Sequence, residues 1–582
     1  MASISPLLSI LPYSQIKNQT SNLQNKSRGI NHVPCRASNG DSTSKFDRRD
    51  VLFGLGGLYG AAALTNQQSP ASAAPLAPDV NNCEPATIEG NQHIPCCPPK
   101  IHHIIDFIHP PHTTKLRIRP PAHSLTPKQQ FNFEKAIHIM KRLPPNDPRN
   151  FYRQADVHCA YCDYAYKQLG FPNAEMQVHW NALFFPFHRA YLYFFERILG
   201  HLINEPNFVI PFWNWDNTEG MQMPEIYDHP NSPLYDKLRN QRHRPHKLLN
   251  LNYHGDDNPS YDVVDSNLRW MHKQMIKDAD TAEGFLGKLL VASDEANEET
   301  GMGTIERSPH NNIHNWVGDP NAKNHMNMGA FYSAARDPLF YGHHANVDRM
   351  WSIWQGLKNG KPRDFDNPDW LNSSFVFYNE HKQAVRIKVR DCLDTRRLGY
   401  VYQYVDLPWL HTKQTPRLKK QLKTTQAPQV IKFPQGLNSM VTTTVKRPNK
   451  LMNEKEKSEK DEVLVIEGIE LDKRFWVHFN VLVNVVDDGS DVCPGNTEFV
   501  GTFTTVPHGH NHRGKTSLRV VITEVLKELG IEDDESVIVR LDPKVGGDKV
   551  TIGGMKIELQ PKGSYPDRGK KLSNVKAMLD MV

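Results

Sequence analysis

The spacing of apolar residues changes once along this chain, and that change constrains the fold more than any other feature. Between Thr126 and residue 357, apolar residues recur at the three- and four-residue intervals of helices. After Val463 they alternate with polar residues, as in strands with one buried face. We therefore predict a mainly α domain, a helical bundle with long loops, followed by a small, all-β, sandwich-like domain.

The two patterns predict individual elements. Thr126 is a candidate N-cap with Pro127 at the first helical position. Helices are expected at 126–143, 151–169, 187–203, 266–279, 281–291, 308–315 and 342–357. Strands are expected at 463–466, 476–486, 499–505, 517–524, 536–542 and 549–558. The loops between the helices are long enough to surround a functional site.

Two segments are expected to lack regular structure. Residues 81–125 are rich in proline and should drape over other elements. Residues 411–460 contain many Lys and Gln, few large apolar residues and a charged run, so they cannot bury enough apolar surface to order themselves. We interpret 411–460 as a flexible, cleavable linker between a domain of residues 74–410 and a C-terminal domain of residues 461–582.

Residues 1–73 have the composition of a two-stage targeting segment. The first 45 residues are rich in Ser and Asn and reach an acidic residue only at Asp41, which is typical of a transit peptide. The pair Arg48-Arg49 precedes an apolar stretch and an Ala-Ser-Ala site at 71–73, which is typical of a twin-arginine export signal. The pattern predicts import into the chloroplast, export to the thylakoid lumen and a mature chain that starts near Ala74. A plain secretory signal is the alternative, but it would not need the first 45 residues.

Charge and hydropathy argue against two classes of function. The net charge of the 582 residues is only +5, and the basic runs lack interleaved aromatic residues, which argues against nucleic-acid binding. No run of 18 apolar residues occurs, so no membrane span is expected.

Five of the eight cysteines cluster near the expected start of the mature chain. They are Cys83, Cys96, Cys97, Cys159 and Cys162. Such clusters form disulfides or metal sites. Disulfides fit an exported protein better, because no Cys-x-x-Cys pair faces another at zinc-ribbon spacing. Cys392 and Cys493 stand alone.

The histidines indicate a paired metal site. His310 and His314 are four residues apart, so on a helix both imidazoles project from one face. His343-His344 open a later helix, and a third group comprises His158, His179 and His188. Two sets of three imidazoles without an obvious carboxylate ligand suit copper, and paired metals can grip both atoms of a small ligand such as dioxygen. Zinc bound by three histidines is the alternative.

These segments closely resemble the copper-A and copper-B signatures of plant polyphenol oxidases, which are type 3 copper proteins. The matching stretches are 158–162, 179–180, 187–189, 310–316 and 343–349, and the resemblance extends over nearly everything after residue 74. It implies that His158, His179 and His188 bind copper A, and that His310, His314 and His344 bind copper B. His343 is then a neighbour and not a ligand.

The resemblance implies further roles. Cys162 would form a thioether to His179, and disulfides would join Cys83 to Cys97 and Cys96 to Cys159. Phe331 would be the gate over copper A, and Glu306 and Asn311 would hold a water near copper B. Family motifs also match at 369–371 and 402–404, whereas the usual Lys-Phe-Asp-Val of the C-terminal domain is His-Phe-Asn-Val at 478–481.

The implied activity is that of a copper-dependent catechol oxidase, an o-diphenol:oxygen oxidoreductase. It would convert o-diphenols into o-quinones and reduce dioxygen, its co-substrate, to water; hydroxylation of monophenols, a tyrosinase activity, is left open. The expected partners are small phenols, the plastid import and twin-arginine export machinery, and a protease that processes a latent precursor. A specialised biosynthetic phenol hydroxylase or aurone-type synthase is the main alternative. An oxygen carrier and a dizinc hydrolase are others.

Overall fold

The computed structural model describes residues 74–88, 92–111, 115–293, 301–357, 364–417, 430–448, 454–485, 492–508 and 513–562. The predicted targeting segment, residues 1–73, lies outside these ranges. Within them, no helix is both long enough and apolar enough to cross a membrane.

The part of the chain up to residue 417 is mainly helical around one large apolar core. Its α-helices are α1 (Pro127–Lys141), α2 (Phe151–Cys162), α3 (Phe184–Leu202), α4 (Val263–His272), α5 (Ala282–Leu286), α6 (Asn311–Val317), α7 (Leu339–Gly356) and α8 (Pro368–Asn372). Turns of π-helix extend α4 over Lys273–Lys277 and precede α6 over Glu306–His310. The predicted mainly α domain is confirmed.

The start of α1 follows the predicted capping. The Thr126 hydroxyl accepts a hydrogen bond from the Gln129 amide at 3.3 Å, and the Gln129 side chain accepts one from the Thr126 amide at 2.9 Å. This capping box satisfies two amides at the beginning of the helix. By contrast, the helix predicted at 151–169 ends at Cys162, because Tyr164 adopts a left-handed conformation (φ 61°) that a helix cannot contain.

Short strands hold the proline-rich segment in place. They are β1 (Pro78–Cys83), β2 (Ala86–Ile88), β3 (Gln92–Ile94), β4 (Ile104–Asp106) and β5 (Arg117–Arg119), and their partners later in the chain include β6 (Tyr166–Gln168), β7 (Phe171–Glu175), β8 (Ser374–Tyr378), β9 (Ala384–Lys388) and β10 (Tyr400–Tyr402). β4 pairs in parallel with β9, and β5 in parallel with β10. The prediction of an irregular 81–125 segment missed β4 and β5 because their partners lie far along the chain: Ile104 pairs with Ala384, and Arg117 pairs with Tyr400.

Both implied disulfides are present. Cys83 is bonded to Cys97, and Cys96 to Cys159 on α2. The second bond fastens the proline-rich segment to the residue that directly follows His158.

Two sheets form the C-terminal part. One joins β11 (Gln435–Gly436), β13 (Lys460–Asp472), β16 (Arg513–Val521), β18 (Val550–Ile552) and β19 (Gly554–Pro561), and the other joins β12 (Val441–Lys446), β14 (His478–Val483), β15 (Phe499–Thr504) and β17 (Ser536–Val545). Leu464 of the first sheet and Val481 and Val539 of the second share one buried core. The predicted β domain is confirmed, with an additional short helix, α10 (Thr523–Glu528), in place of the end of the strand predicted at 517–524.

The predicted linker at 411–460 is wrong over much of its C-terminal half. β12 pairs with β17 along its whole length, with Val441, Thr443 and Val445 buried. Residues Glu454–Glu459 form α9, and β13 starts at Lys460. The average composition of 411–460 concealed the alternation at 441–446, which is itself a strand signal. Residues 418–429 and 449–453 lie outside the described part of the chain.

Candidate metal centre

Four helical elements bring the predicted ligands together in the core of the helical part. α2 carries His158, and α3 carries His188; His179 lies in the loop before α3. The π-turn and α6 carry His310 and His314, and α7 carries the 343–344 pair.

These side chains form two buried groups whose candidate ligand atoms lie within 4.8 Å of one another in each group. One group is His158, Cys162, His179 and His188, and the other is His310, His314, His343 and His344. The groups adjoin: the rings of His188 and His344 stack at a centroid distance of 4.1 Å. The structure therefore brings together all six predicted ligands, with His343 beside them.

Main-chain carbonyls orient four of the imidazoles. The Nδ1 atoms of His158, His188, His310 and His314 lie 3.1, 2.8, 3.2 and 2.8 Å from the carbonyl oxygens of Phe331, Phe184, Glu306 and Met328. A carbonyl can only accept, so each Nδ1 carries the proton, and each Nε2 presents a lone pair to the centre. Within the described residues, the Nε2 atoms of His158, His188 and His310 have no hydrogen-bond partner.

Buried acceptors without partners cost free energy, and a bound metal would remove that cost. Burial also lowers the pKa of His188 to about 3 and that of His314 to about 4. For His158, His179, His310 and His344, burial and the neighbouring histidines hold the pKa well below its usual value. Neutral imidazoles are what metal binding requires, so the donor set fits two copper ions bound by nitrogen.

His179 differs from the four anchored histidines. Neither of its ring nitrogens has a hydrogen-bond partner among the described residues. Cys162 belongs to the same group and is a buried thiol whose pKa is raised by burial. The arrangement is compatible with the implied thioether, which stays a prediction.

Phe331 covers this group. Its ring stacks on His179 at 4.0 Å between centroids, and its carbonyl accepts from His158. On its other side, His508 of the C-terminal part meets the ring edge to face at 4.7 Å.

Glu306 and Asn311 lie beside the second group. Glu306 Oε1 accepts a hydrogen bond of 2.5 Å from the Trp180 amide, whereas its Oε2 atom has no partner in the described part of the chain. Burial raises the pKa of this carboxyl well above its usual value. Asn311 Oδ1 lies 2.9 Å from His310 Nδ1.

A buried ionic cluster fixes α3 against α7. Asp348 pairs with Arg189, the neighbour of His188, and accepts hydrogen bonds from Tyr400 at 2.6 Å and Tyr402 at 2.5 Å. Sequence reasoning identified the tyrosine motif at 402–404 but missed Asp348, although it lies four residues after His344, on the same face of α7.

The C-terminal part lies over the mouth of the centre. The carbonyls of Thr504, Thr505 and Pro507 accept hydrogen bonds from Asn311 Nδ2, Asn315 Nδ2 and the Phe331 amide at 2.9, 2.9 and 3.0 Å. Sequence reasoning missed Asn315 and His508, because their contacts with Thr505 and Phe331 join residues far apart in the chain and leave no local pattern.

Three family profiles match the chain. The common central domain of tyrosinase matches residues 148–357, the polyphenol oxidase middle domain residues 364–415, and the chloroplastic polyphenol oxidase C-terminal domain residues 433–559.

Curated relatives match over almost their full length. "Polyphenol oxidase, chloroplastic" of Malus domestica is 49% identical over 94% of this chain and 96% of the relative. "(+)-Larreatricin hydroxylase, chloroplastic" of Larrea tridentata is 45% identical over 91% of this chain and 94% of the relative.

Solved structures agree with this likeness. Latent apple tyrosinase superimposes with a TM-score of 0.74 at 50% identity, covering 78% of this chain and 100% of that chain. A latent aurone synthase gives 0.79 at 38% identity over 85% and 100% of the chains. A polyphenol oxidase of Grenache (Vitis vinifera) gives 0.55 at 47% identity and covers 58% of this chain and 100% of that chain. Together with the two buried histidine groups, these matches establish that the chain belongs to the plant polyphenol oxidases, type 3 copper proteins, and is an oxidase with a dinuclear copper centre.

Proposed function

We propose that this chain oxidises o-diphenols to o-quinones while dioxygen is reduced to water. The observation that carries the proposal is the pair of adjoining buried histidine groups, with Nε2 atoms that have no hydrogen-bond partner among the described residues and with the Phe331 ring stacked on His179 of the first group. When bound, the two coppers supply dioxygen binding and the transfer of two electrons from the diphenol. The protein supplies orientation, access and proton acceptors.

We assign His158, His179 and His188 to one copper and His310, His314 and His344 to the other. His344 is favoured over His343 because its ring stacks on His188 of the other group and its Nε2 lies 3.4 Å from His314 Nε2. The ring of His343 also contacts His310 and His314, at centroid distances of 5.2 and 5.1 Å, but within the described part of the chain it makes no ring contact with a histidine of the other group. Cys162 would form a thioether with His179 and so restrict the motion of its imidazole. This bond would take the place of the main-chain carbonyls that orient His158 and His188.

Phe331 would guide the substrate. A planar phenol that enters beside this ring meets the imidazoles that face the mouth, and stacking on one of them fixes its orientation. Holding the reacting oxygen in one position lowers the entropic part of the barrier.

We further propose tyrosinase activity towards monophenols, which requires a proton acceptor for the phenolic hydroxyl. Glu306 Oε2 is buried without a partner among the described residues, and His310 Nδ1 contacts both Asn311 Oδ1 and the Glu306 main-chain oxygen. The two side chains would hold a water that accepts the proton. The raised pKa of Glu306 makes its ionised carboxylate a stronger base than an exposed one.

The C-terminal part would keep the enzyme latent by covering Phe331 and the mouth. We place the cut of the processing protease between residues 417 and 430, because a cut there leaves β11 and β12 with the sheets to which they pair. This replaces the wider linker expected from the sequence.

The relatives' names include "chloroplastic", which supports a plastid location for this chain. We propose the thylakoid lumen as the final compartment, reached through the plastid import and twin-arginine export machinery. The two disulfides suit a compartment reached by export.

A narrow biosynthetic enzyme is the second candidate. Relatives on this fold are named (+)-larreatricin hydroxylase and aurone synthase. Turnover confined to one elaborate phenol, with little turnover of simple catechols, would favour it.

The test is copper content together with dioxygen uptake, with 4-methylcatechol and with tyramine, before and after limited proteolysis. Two coppers per chain and diphenol turnover that rises on trimming are expected, and tyramine turnover decides the tyrosinase activity. His188→Ala should lose copper, whereas His381→Ala, which changes an exposed histidine, should not. Copper without turnover of either substrate would contradict the proposal.

A further inference from the structure

A cavity of about 150 Å³ lies between the catalytic part and the C-terminal sheet that contains β14 and β17. The catalytic part contributes Asn252, His254 and Asp256 to its wall, and the sheet contributes Asn480 and Arg540. None of the described residues that line this cavity belongs to either histidine group of the copper centre. The cavity is therefore a separate place in the fold where a ligand can bind.

The alternation of side chains along the strands explains why this wall is polar. On β17, Val539 and Leu541 lie in the apolar core of the C-terminal part. Arg540 and Asp542 alternate with them and therefore point to the opposite face of the sheet. On the neighbouring β14, Asn480 lies directly opposite Asp542. These polar side chains share the face that meets the catalytic part.

Arg540 brings a positive charge into this wall. Its Nε atom is buried and has no hydrogen-bond partner within the described ranges. The two acidic residues of the wall make other contacts: Asp542 pairs with Lys544 at 2.9 Å, and Asp256 accepts a hydrogen bond of 2.9 Å from the Asn258 amide. A buried N–H without an acceptor costs free energy, more so when the group is charged. A ligand with a negatively charged oxygen would remove this cost.

Two buried asparagines offer a donor and an acceptor to the same ligand. Asn480 Oδ1 lies 3.0 Å from His478 Nε2 and accepts a hydrogen bond of 3.4 Å from Asn252 Nδ2. Because this oxygen is already used, the Asn480 Nδ2 donor is available to a ligand in the cavity. Asn252 Oδ1 has no partner in the described part of the chain, so it can accept a hydrogen bond from an O–H group.

This chain differs at Asn480 from the usual Lys-Phe-Asp-Val motif, which has an aspartate at that position. An aspartate there would place a second carboxylate directly opposite Asp542 and would repel an anion. Asn480 removes that negative charge and supplies an N–H donor in its place. The exchange converts a wall that repels an anion into one that can bind it.

We propose that this cavity binds an inorganic oxyanion, with phosphate as the preferred ion, between the catalytic and C-terminal parts. Phosphate oxygens accept hydrogen bonds from Arg540 and from Asn480 Nδ2, and the P–OH group of hydrogen phosphate donates to Asn252 Oδ1. Sulfate has no O–H group at neutral pH, so it binds more weakly. Because residues of both parts hold the ion, it binds only the docked state and stabilises their contact.

The experiment is a calorimetric titration of the untrimmed, copper-loaded chain with phosphate, with sulfate and with chloride, at constant ionic strength. Phosphate should bind with a Kd of about 1 mM or lower, the affinity expected from two hydrogen bonds that involve charged groups. Sulfate should bind more weakly, and chloride should give no binding heat. The titration involves no turnover, so its result is independent of the proposed phenol oxidation.

Asn480→Asp should weaken phosphate binding about tenfold or more, because it replaces a donor with a negative charge of similar shape. Aspartate is the usual residue at this position, so the variant should fold. Arg540→Met should weaken binding by a similar factor. Arg519→Met is the matched control: Arg519 lies on β16 of the other sheet and pairs with Glu558, so its replacement should leave the Kd unchanged.

Three results would contradict the proposal. If wild type binds phosphate no more tightly than chloride, the oxyanion site does not exist. If both Asn480→Asp and Arg540→Met bind phosphate as wild type does, the ion binds elsewhere on the chain. If sulfate binds as tightly as phosphate, the Asn252 oxygen plays no part in selecting the ion.

Discussion

The Nζ atom of Lys473 donates a hydrogen bond of 2.8 Å to the hydroxyl of Tyr164. Lys473 lies between β13 and β14 of the C-terminal part, and Tyr164 lies just beyond α2 of the catalytic part. The ammonium group also lies 5.0 Å from the ring centroid of Trp180, which follows His179. One lysine therefore fastens the C-terminal part to the surroundings of the copper centre.

The docking of Lys473 should strengthen at alkaline pH. Burial lowers the pKa of Lys473 from 10.5 to about 8. Between these two pKa values, Lys473 is deprotonated while the C-terminal part is docked on the catalytic part, but it is protonated when the C-terminal part is released. The free energy of docking therefore becomes more favourable as the pH rises, by up to about 3 kcal/mol. The measurement is the urea concentration that activates the latent enzyme, from pH 7 to 10. The difference between wild type and Lys473→Met should grow over this range, and a flat or falling difference would contradict the role of Lys473.

Acid should weaken the same domain contact through a histidine pair. The rings of His254 and His478 face each other across the contact at 5.5 Å between centroids. Burial lowers the pKa of both, that of His478 well below its usual value. Nearby charges are Asp256, Arg540, Asp542 and Lys544, with Lys544 opposing protonation of both histidines.

When the C-terminal part is released, His254 and His478 bind protons near pH 6.5. When it is docked on the catalytic part, they bind protons only at lower pH. The stability of the docked state is therefore present above pH 6.5 and is lost as the pH falls through that value. Latent wild type should gain catechol turnover after brief exposure to mild acid, assayed at neutral pH, and His478→Asn should gain much less. Equal acid activation of the two forms would exclude this pair as the cause.

Replacing Asp348 should destabilise the catalytic part strongly. Asp348→Ala leaves the buried Arg189 guanidinium without its carboxylate and removes the acceptor for Tyr400 and Tyr402. Loss of one partner of a buried ion pair costs about 3–5 kcal/mol. Asp265→Ala, which removes a half-exposed pair with Arg269, should cost less than about 1 kcal/mol. Urea unfolding curves of the two variants would test this contrast, and similar midpoints would contradict it.

Asn311→Gly should reduce monophenol turnover more than diphenol turnover. The variant loses the amide that we propose to hold the proton-accepting water, while diphenol oxidation needs no such water. The ratio of tyramine to 4-methylcatechol turnover should fall about fivefold or more, the effect of one hydrogen bond. Copper content is the control, and an unchanged ratio at full copper content would remove Asn311 from the reaction.

Removal of copper should lower the thermal stability of the chain. The neutral imidazoles of His158, His188 and His310 point their Nε2 atoms into a buried space, so a metal that binds only the folded state stabilises it. Treatment with a copper chelator should lower the unfolding temperature by several degrees. Added copper should restore it and added magnesium should not, because nitrogen donors prefer copper. An unfolding temperature that does not change when the chelator is added would argue against the copper site.

The sequence was sufficient for the elements whose signal is local. The spacing of His310 and His314, the cap at Thr126 and the strand alternation after Val463 each predicted what the structure contains. The sequence also grouped His158, His179 and His188 as candidate ligands, and the family resemblance then assigned them to one copper and selected His344 over His343. The strand at 441–446 was missed because its six residues were averaged with a charged neighbourhood.

Contacts between the two parts could not be predicted. Asn315 and Thr505 are 190 residues apart, and Lys473 and Tyr164 are 309 apart. No periodicity connects such positions, and each residue alone has an ordinary surface or core explanation. The left-handed Tyr164, which ends α2 and turns its hydroxyl towards Lys473, was equally invisible because a non-glycine residue in that conformation depends on its tertiary surroundings.

The carbonyl anchors of the histidines bear on how this enzyme family can diversify. Phe331 orients His158 with its main-chain oxygen and shapes the entrance with its ring. Substitution of Phe331 would change the shape of the entrance but would keep the hydrogen bond that orients His158, since every amino acid has the same main-chain carbonyl. Evolution can therefore exchange the side chains that surround the centre, and with them the accepted phenols, without losing the tautomers on which the coppers depend.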